Sequence, residues 1–262
     1  MKSPESAAQR SFGRRAAYYT TSATHADPQV LARVVELAMS GTEGLASPKP
    51  SWQALDIATG TGHTAFALAP DVAHVLGLDL TPQMLTQAVA LRQARSIANV
   101  DFCLGDVHRL PFSAESFHLV TCRRAAHHFS DIGQALDEIR RVLRPGGRLV
   151  IDDRSVPEDD FLDALMNRLD SYHDESHVQE YRPSHWARML EQAGFSVKAV
   201  EPYIQHRPLT SLTDGASQKN VRRIHRALQG LTPAQRQQLN LAERDGEPHS
   251  NHWYLLLSAR NG

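Results

Sequence analysis

The densest chemistry in the chain lies in Leu55-Asp56-Ile57-Ala58-Thr59-Gly60-Thr61-Gly62-His63, where an acid precedes two glycines spaced for a tight strand-to-helix turn. Glycines at such a turn let the backbone approach a ligand without Cβ clashes, as nucleotide-binding turns require. Asp79 stands about twenty residues on, the distance at which a carboxylate accepts ribose hydroxyls. A third acid, Asp106 in Gly105-Asp106-Val107, is spaced to accept from an adenine amino group. Asp56 gives this pocket a sign. An acid beside the turn repels a pyrophosphate and attracts a cation. S-adenosylmethionine is such a ligand, an adenosine with a sulfonium, an amino group and no phosphate, and the residues favour it over a nicotinamide dinucleotide.

The elements that must position these acids follow from hydrophobic patterning. Short β-branched or apolar runs alternate with helical periodicities, the signature of a parallel sheet with helices on both faces. Strands are expected at Gln53 to Ile57, His74 to Asp79, Val100 to Leu104, Phe117 to Cys122, Arg148 to Asp152, Phe195 to Ile204 and His252 to Ala259. Helices are expected at Pro28 to Met39, Thr64 to Leu68, Pro82 to Ser96, Ile132 to Leu143 and Pro183 to Ala193. Thr81-Pro82 is a good helix start, a hydroxyl residue followed by proline at the first helical position. All three acids then fall at carboxyl ends of strands, where open parallel sheets bind ligands.

Two segments stand outside this alternation. Residues 1–49 carry Phe12, Tyr18 and Tyr19, a helix and a Gly/Ser/Pro-rich linker, and read as an N-terminal helical lid. Residues 208–250, rich in Gln and Arg with helical stretches at Lys219 to Leu228 and Pro233 to Leu241, read as an insertion near a substrate pocket. The core is then 50–207 with 251–262. Arg222, Arg223 and Arg226 form one basic helical face, solvated or turned toward an acidic partner.

Composition narrows the function classes. The chain has 262 residues, 41% of them hydrophobic, enough for one large α/β domain with additions. With 28 Lys and Arg against 29 Asp and Glu it offers no global field for nucleic acid or an anionic membrane. No apolar stretch approaches the ~20 residues that cross a bilayer, and Met1 to Ser6 lacks the run of a secretory signal, so a cytoplasmic protein with a small-molecule partner, monomeric or homodimeric, is expected. Cys103 and Cys122 sit in apolar runs and suit reduced structural thiols. Among 14 histidines, His173 and His177 form an i, i+4 pair that could share a metal, but further ligands are lacking, so no metal is expected.

The segments Leu55 to Gly62, Gly77-Leu78-Asp79-Leu80-Thr81-Pro82-Gln83-Met84-Leu85, Gly105-Asp106-Val107 and Arg141-Val142-Leu143-Arg144-Pro145-Gly146-Gly147 resemble the class I S-adenosylmethionine-dependent methyltransferases, within the group that includes ubiquinone/menaquinone-biosynthesis methyltransferases. The resemblance covers Ser51 to Asp152 in the expected order. It extends more loosely to related bacterial proteins sharing the Phe12 to Tyr18 opening and Ala125-Ala126-His127-His128-Phe129. It implies a Rossmann-like α/β fold of seven strands with the last inserted antiparallel. It implies methyl transfer to carbon, oxygen or nitrogen of a small acceptor, or a non-methylating reaction in the same pocket. A cofactor contact is implied for Asp56, Ala58, Gly60, Gly62, Asp79, Leu80, Gly105, Asp106 and Val107. Met84 is implied to pack on the adenine, and Cys122 with Arg123 to face the methionine part. The family usually has Gly where Ala58 stands.

Methyl transfer from a sulfonium is an in-line displacement that mainly needs the acceptor placed, with a base where the acceptor carries a proton. His127 and His128 follow the fourth strand, beside the expected methyl position, and either suits a base or an acceptor ligand. The alternative is a histidine that caps the following loop or packs beside Phe129. Adjacent residues point different ways, so only one is expected to act. Tyr18 and Tyr19 read equally as a lid over the pocket or a hydrophobic staple for the Pro28 helix. Together with Arg124 they are the candidate substrate contacts.

Overall fold

The computed structural model describes residues 4–22, 25–40, 51–244 and 246–262. The start of the chain at 1–3 and the linker expected at 41–49 lie outside the described residues. Seven strands line up as β3-β2-β1-β4-β5-β8-β6: β1 Gln53–Ile57, β2 His74–Asp79, β3 Val100–Leu104, β4 Phe117–Arg123, β5 Leu143–Ser155, β6 Phe195–Pro208 and β8 Glu247–Asn261. An eighth, β7 Ala242–Arg244, pairs only with β8, where seven strands were expected. β1 to β5 run parallel, and β8 lies antiparallel between β5 and β6. The chain reverses direction in strand order between β1 and β4, the switch point at which such sheets open a ligand crevice.

The central strands are apolar on both faces because both are covered. α2 Pro28–Met39, with Asp27 capping its first turn, buries Val34 and Leu37 on one face with Val75, Leu119 and Val150. α5 Ile132–Val142 and α7 Pro183–Gln192 bury Leu136, Ile139 and Trp186 on the other with Leu55, Val120 and Leu257. α3 His63–Leu68 and α4 Pro82–Ala94 follow β1 and β2. The Arg141 motif serves the loop after Asp106: its guanidinium donates to Phe112 O at 2.7 Å and Leu110 O at 3.0 Å and is held by Glu138.

Five further α-helices complete the architecture. α1 Pro4–Tyr19 lies against α4 and the 126–128 turn, and Gln9 Nε2 donates to Leu80 O at 2.9 Å. α6 Asp160–His173, not among the expected elements, is capped by Asp159, whose side chain accepts from Leu162 N. Its buried Leu165, Met166 and Leu169 meet Leu212, Ile224 and Leu228 from the late segment, in which lie α8 Thr210–Thr213, α9 Gln218–Gln229 and α10 Pro233–Gln238. The late segment thereby builds a third apolar cluster together with α6. Because α6 stops at His173, His177 lies in the turn beyond it rather than one helical turn along. His173 Nδ1 bonds Leu212 O and His177 Nε2 bonds Asn167 Oδ1, and no metal-holding cluster occurs among the described residues. No described helix is long and apolar enough to cross a membrane.

Candidate active site

The turn after β1 is built around Gly60 and Gly62. Gly60 has φ +56°, and a Cβ built there meets nothing within 4 Å, so it opens on space. Gly62 has φ +90° and caps α3. A Cβ there would fall 2.8 Å from Phe66 and 3.1 Å from Phe102, so this glycine serves packing beneath the turn rather than the cavity surface. Ala58, standing where the family has glycine, adopts φ 51°, the left-handed region that costs a residue with a Cβ about 1–2 kcal/mol.

A cavity of about 140 Å³ opens over this turn. Its floor is Asp56, Ala58, Gly60, Asp79 and Leu80, and its far wall is Met84, Gly105, Asp106 and Val107. Nine residues expected from sequence thus converge on one space. Arg123, Arg124, Tyr19 and His128 close the other end. Cys122 does not reach it: the thiol is packed in the apolar core, where burial raises its pKa well above the ordinary value. Tyr18 is half exposed and, like His127, lines a neighbouring cavity instead.

The three acids differ in what they do. Asp56 is buried, and both its oxygens are engaged, one by Thr59 Oγ1 at 2.6 Å and one by Thr121 Oγ1 at 2.7 Å. Burial pushes its pKa up to about 6 against those hydroxyls. Its charge therefore acts from beneath the turn, and Thr59 and Thr121, which sequence reasoning missed, are what keep it ionised at neutral pH. Asp79 Oδ2 accepts from Gly60 N at 2.7 Å and Oδ1 from Thr81 N at 2.8 Å, which ties the glycine turn to the end of β2. Asp106 is the more open of the three. It accepts from His108 N at 2.9 Å and pairs with His108 Nδ1 at 2.7 Å.

Arg123 supplies an unsatisfied donor. Its Nε donates to Thr64 Oγ1 at 3.0 Å and its Nη2 to His25 O, while the buried Nη1 has no hydrogen-bond partner and stands 3.8 Å from Asp152. A buried unpaired guanidinium N–H is costly unless a ligand oxygen completes it. An amino-acid carboxylate does so. With two acids toward a nucleoside end, apolar Met84 and Val107 toward a ring, and this donor at the opposite end, the donor set fits S-adenosylmethionine.

A second cavity, about 150 Å³ and more polar, adjoins the first and shares Phe12, Tyr19, His25, Arg124 and His128 with it. His128 stands in the partition. Its ring packs edge-on against Phe12, with centroids 5.0 Å apart, and its Nδ1 meets Ser176 O at 3.1 Å. His127 lines only the second cavity. Its Nδ1 lies 2.6 Å from Asp153 Oδ1, its backbone N donates to Asp153 Oδ2 at 2.9 Å, and Arg154 N also donates to Asp153. Burial raises Asp153 to about 6, and burial first, then the neighbouring His128 and Arg154, lowers His127 well below its usual value. Near pH 7 the pair is thus a carboxylate with three donors and a neutral imidazole whose Nδ1–H points at it, leaving Nε2 as the basic lone pair. Asp153 was not anticipated, since β5 was expected to end at Asp152.

The N-terminal segment crosses the mouth of the first cavity. Tyr19 O accepts from Thr61 Oγ1 at 3.3 Å and bonds His63 Nε2 at 3.0 Å. The Tyr19 ring packs edge-on against Phe12 and His25.

A family model described as a methyltransferase domain matches residues 48–194, more than half the chain, from β1 to α7, with Asp56, Asp79, Asp106 and Arg123 among them. The chain belongs to the class I S-adenosylmethionine-dependent methyltransferase family. It is similar to the uncharacterized methyltransferase YcgJ of Bacillus subtilis, 40% identical over 149 residues that cover 57% of this chain and 59% of that protein. It is also similar to the demethylmenaquinone methyltransferase of Chlorobaculum tepidum, 36% identical over 48% of each chain. The chain thus spans about half to three fifths of the length of these curated relatives. Among solved structures, a putative methyltransferase from Bacillus halodurans superposes with a TM-score of 0.81 at 31% identity, covering 89% of this chain and 99% of that one. The likeness to that structure therefore extends past the matched domain into the N-terminal and late segments.

Proposed function

We propose that this protein transfers a methyl group from S-adenosylmethionine to a small-molecule acceptor held in the second cavity, with His127 as the base and Asp153 as its positioning partner. The observation that carries this reading is the adjacency of the two cavities across His128, one lined by the acids and apolar residues that suit a nucleoside and one of similar size and more polar. S-adenosylmethionine, when bound, supplies an electrophilic methyl group on a positively charged sulfur.

This chain's residues do the rest. Asp79 would accept from the ribose hydroxyls and Asp106 from the adenine amino group, Met84 and Val107 would offer the ring an apolar wall, and Arg123 would hold the carboxylate. Phe12, Tyr19 and His25 exclude water at the mouth, which strengthens every charge–dipole interaction inside. His127 Nε2 removes a proton from a hydroxyl, an ammonium or an activated carbon of the acceptor, and Asp153 holds the imidazole in the tautomer that leaves Nε2 free. With the cofactor bound, transfer of its methyl group would depend on how these residues place the acceptor rather than on strong acid catalysis.

The test is to incubate the protein with S-adenosylmethionine and fractionated metabolite pools and to measure S-adenosylhomocysteine. Formation dependent on a fraction below about 1 kDa supports the reading. Cofactor binding without turnover on any fraction overturns it.

A further inference from the structure

The carboxylate at the far wall of the cofactor cavity is gripped at one oxygen only. His108 N donates to Asp106 Oδ1 at 2.9 Å, and His108 Nδ1 meets the same oxygen at 2.7 Å. Asp106 Oδ2 accepts no hydrogen bond from any described residue, and the side chain is 38% exposed. Both residues line the cavity. The two oxygens therefore differ: one is committed to the protein and one is open.

The imidazole that makes this grip is itself fixed. Asp131 N, at the N-cap of α5, donates to His108 Nε2 at 3.3 Å. An amide N–H can only donate, so Nε2 is the lone-pair nitrogen and Nδ1 carries the hydrogen that goes to Asp106 Oδ1. The Ser130 hydroxyl, 3.5 Å from Nε2, is bonded to Glu5 and does not compete. The ring stands T-shaped against buried Phe129, centroids 5.9 Å apart, and the side chain is only 12% exposed. One residue thus fastens to the start of α5 with one ring nitrogen and sets Asp106 with the other.

We propose that His108 is a positioning residue for recognition of the cofactor's base: by committing Asp106 Oδ1 it makes Oδ2 the oxygen offered to the adenine amino group. The proposal rests on the reading of this cavity as the S-adenosylmethionine site. A carboxylate whose last torsion is locked by a neighbour presents its free lone pairs in one direction and is the more selective for it. A carboxylate oxygen only accepts, so it favours the amino group at C6 of adenine and opposes the carbonyl found there in the deaminated nucleoside. His108 turns two donors and no acceptor toward Asp106, and this dictates how an amide would sit in the same place. In Asp106→Asn the amide oxygen takes the two His108 donors and the NH2 group comes to the open side, which reverses the preference.

The experiment compares the affinities of S-adenosylhomocysteine and S-inosylhomocysteine for the protein by calorimetry, with circular dichroism to confirm that each variant is folded. Wild type should prefer the adenosine compound at least about tenfold, since the inosine carbonyl sets acceptor against acceptor. Asp106→Asn should prefer the inosine compound by about the same factor. Adding His108→Leu to Asp106→Asn frees the amide to flip, and the two compounds should then bind within about threefold of each other. His108→Leu alone should lose most of the wild-type preference, and His108→Asn, whose NH2 group can replace the Nδ1 donor, should keep it. A merely structural His108 would change both affinities together and leave every ratio in place. A wild-type ratio near one, or a ratio in Asp106→Asn that is the same with and without His108→Leu, overturns the proposal alone. Binding of neither compound by the wild-type protein overturns the cofactor reading, and this proposal with it.

Discussion

His127 Nδ1 lies 2.6 Å from Asp153 Oδ1, in a pair buried between β4 and β5 whose remaining imidazole nitrogen faces the second cavity. This geometry separates orientation from proton transfer, so the two residues should fail differently. His127→Gln removes the base and should lower kcat about 10²–10⁴-fold on any acceptor that yields S-adenosylhomocysteine. Asp153→Asn keeps the shape but can donate to Nδ1, favouring the tautomer in which Nε2 carries the proton, and should cost a comparable factor in kcat with KM little changed. With Asp153 raised to about 6, the acid limb of the wild-type rate profile should fall near or below pH 6. A profile and kcat unchanged in Asp153→Asn would exclude the positioning role.

The glycine turn and Asp79 can be tested without an acceptor. Gly60→Val meets no protein atom within 4 Å of the new Cβ, so the fold should persist at a backbone cost of about 1–2 kcal/mol while the side chain enters the cofactor space. Asp79→Ala strands Gly60 N and Thr81 N and removes the ribose acceptor. Both variants should retain their circular dichroism and lose at least about 10²-fold in S-adenosylhomocysteine affinity, since two charge-assisted bonds disappear or are blocked. Retained affinity in either, measured by calorimetry, would remove the turn from the cofactor site.

Ala58 offers a stability test of opposite sign. Its φ of 51° costs a Cβ-bearing residue about 1–2 kcal/mol, whereas glycine would lose about 0.4–1 kcal/mol more chain entropy on folding. The strain is the larger figure, so Ala58→Gly should stabilise the protein by about 0.5–1 kcal/mol in urea denaturation. A destabilised variant would mean that the Ala58 methyl makes packing contacts worth more than the strain.

What the sequence could and could not show divides along the range of the interactions. β1, β2 and β3 and the acids at their ends were legible residue for residue, because alternation, glycine spacing and caps are local signals. The final strand's antiparallel insertion came only through family likeness. Asp153 escaped because its partner is 26 residues away and the contact exists only through the β4–β5 pairing of Cys122 with Ile151 and Arg123 with Asp152. α6 did carry a usable signal, Asp159 followed by apolar Leu162, Leu165, Met166 and Leu169 at helical spacing. The second cavity has no sequence signature, for it is assembled from α1, β5, α6, β6 and β8.

Buried histidines should make acid stability depend on pH in a defined direction. His252 is 1% exposed, its Nδ1 has no partner, and burial first, then Arg154 and Arg207, lowers its pKa to about 3. The unfolded chain binds its proton near the ordinary 6.5, so His252 contributes stability that is fully present above pH 6.5 and is lost as pH falls toward 3, by at most about 1.4 kcal/mol per pH unit. Asp56 and Asp153, raised to about 6, act with the opposite sign between about 6 and their ordinary value. The informative measurement is therefore a difference: the drop in Tm from pH 7 to pH 4.5 should be smaller in His252→Gln than in the wild type. Equal drops would mean that His252 is protonated in the folded protein.

The end of α1 and His25 are held by residues of the glycine turn and by Arg123, so any motion of the N-terminal segment should be coupled to the cavity it lines. Tyr19 O bonds His63 Nε2 at the start of α3 and Thr61 Oγ1 within the turn, while Arg123, which lines the cofactor cavity, fastens His25 O. Burial lowers the pKa of His63, so its ring is neutral near pH 7 and serves as a hydrogen-bond donor rather than as a charge. Removing that bond in His63→Ala should release the end of α1, raising amide exchange at Thr20 and Thr21 roughly fivefold, the equivalent of one net hydrogen bond of about 1 kcal/mol. If the lid also retains the cofactor, S-adenosylhomocysteine should leave faster from the variant by a similar factor, and its presence should slow exchange at the same two amides in the wild type. Exchange that is unchanged by both the substitution and the ligand would show that the Tyr19 strap is fixed by α1 alone and gates nothing.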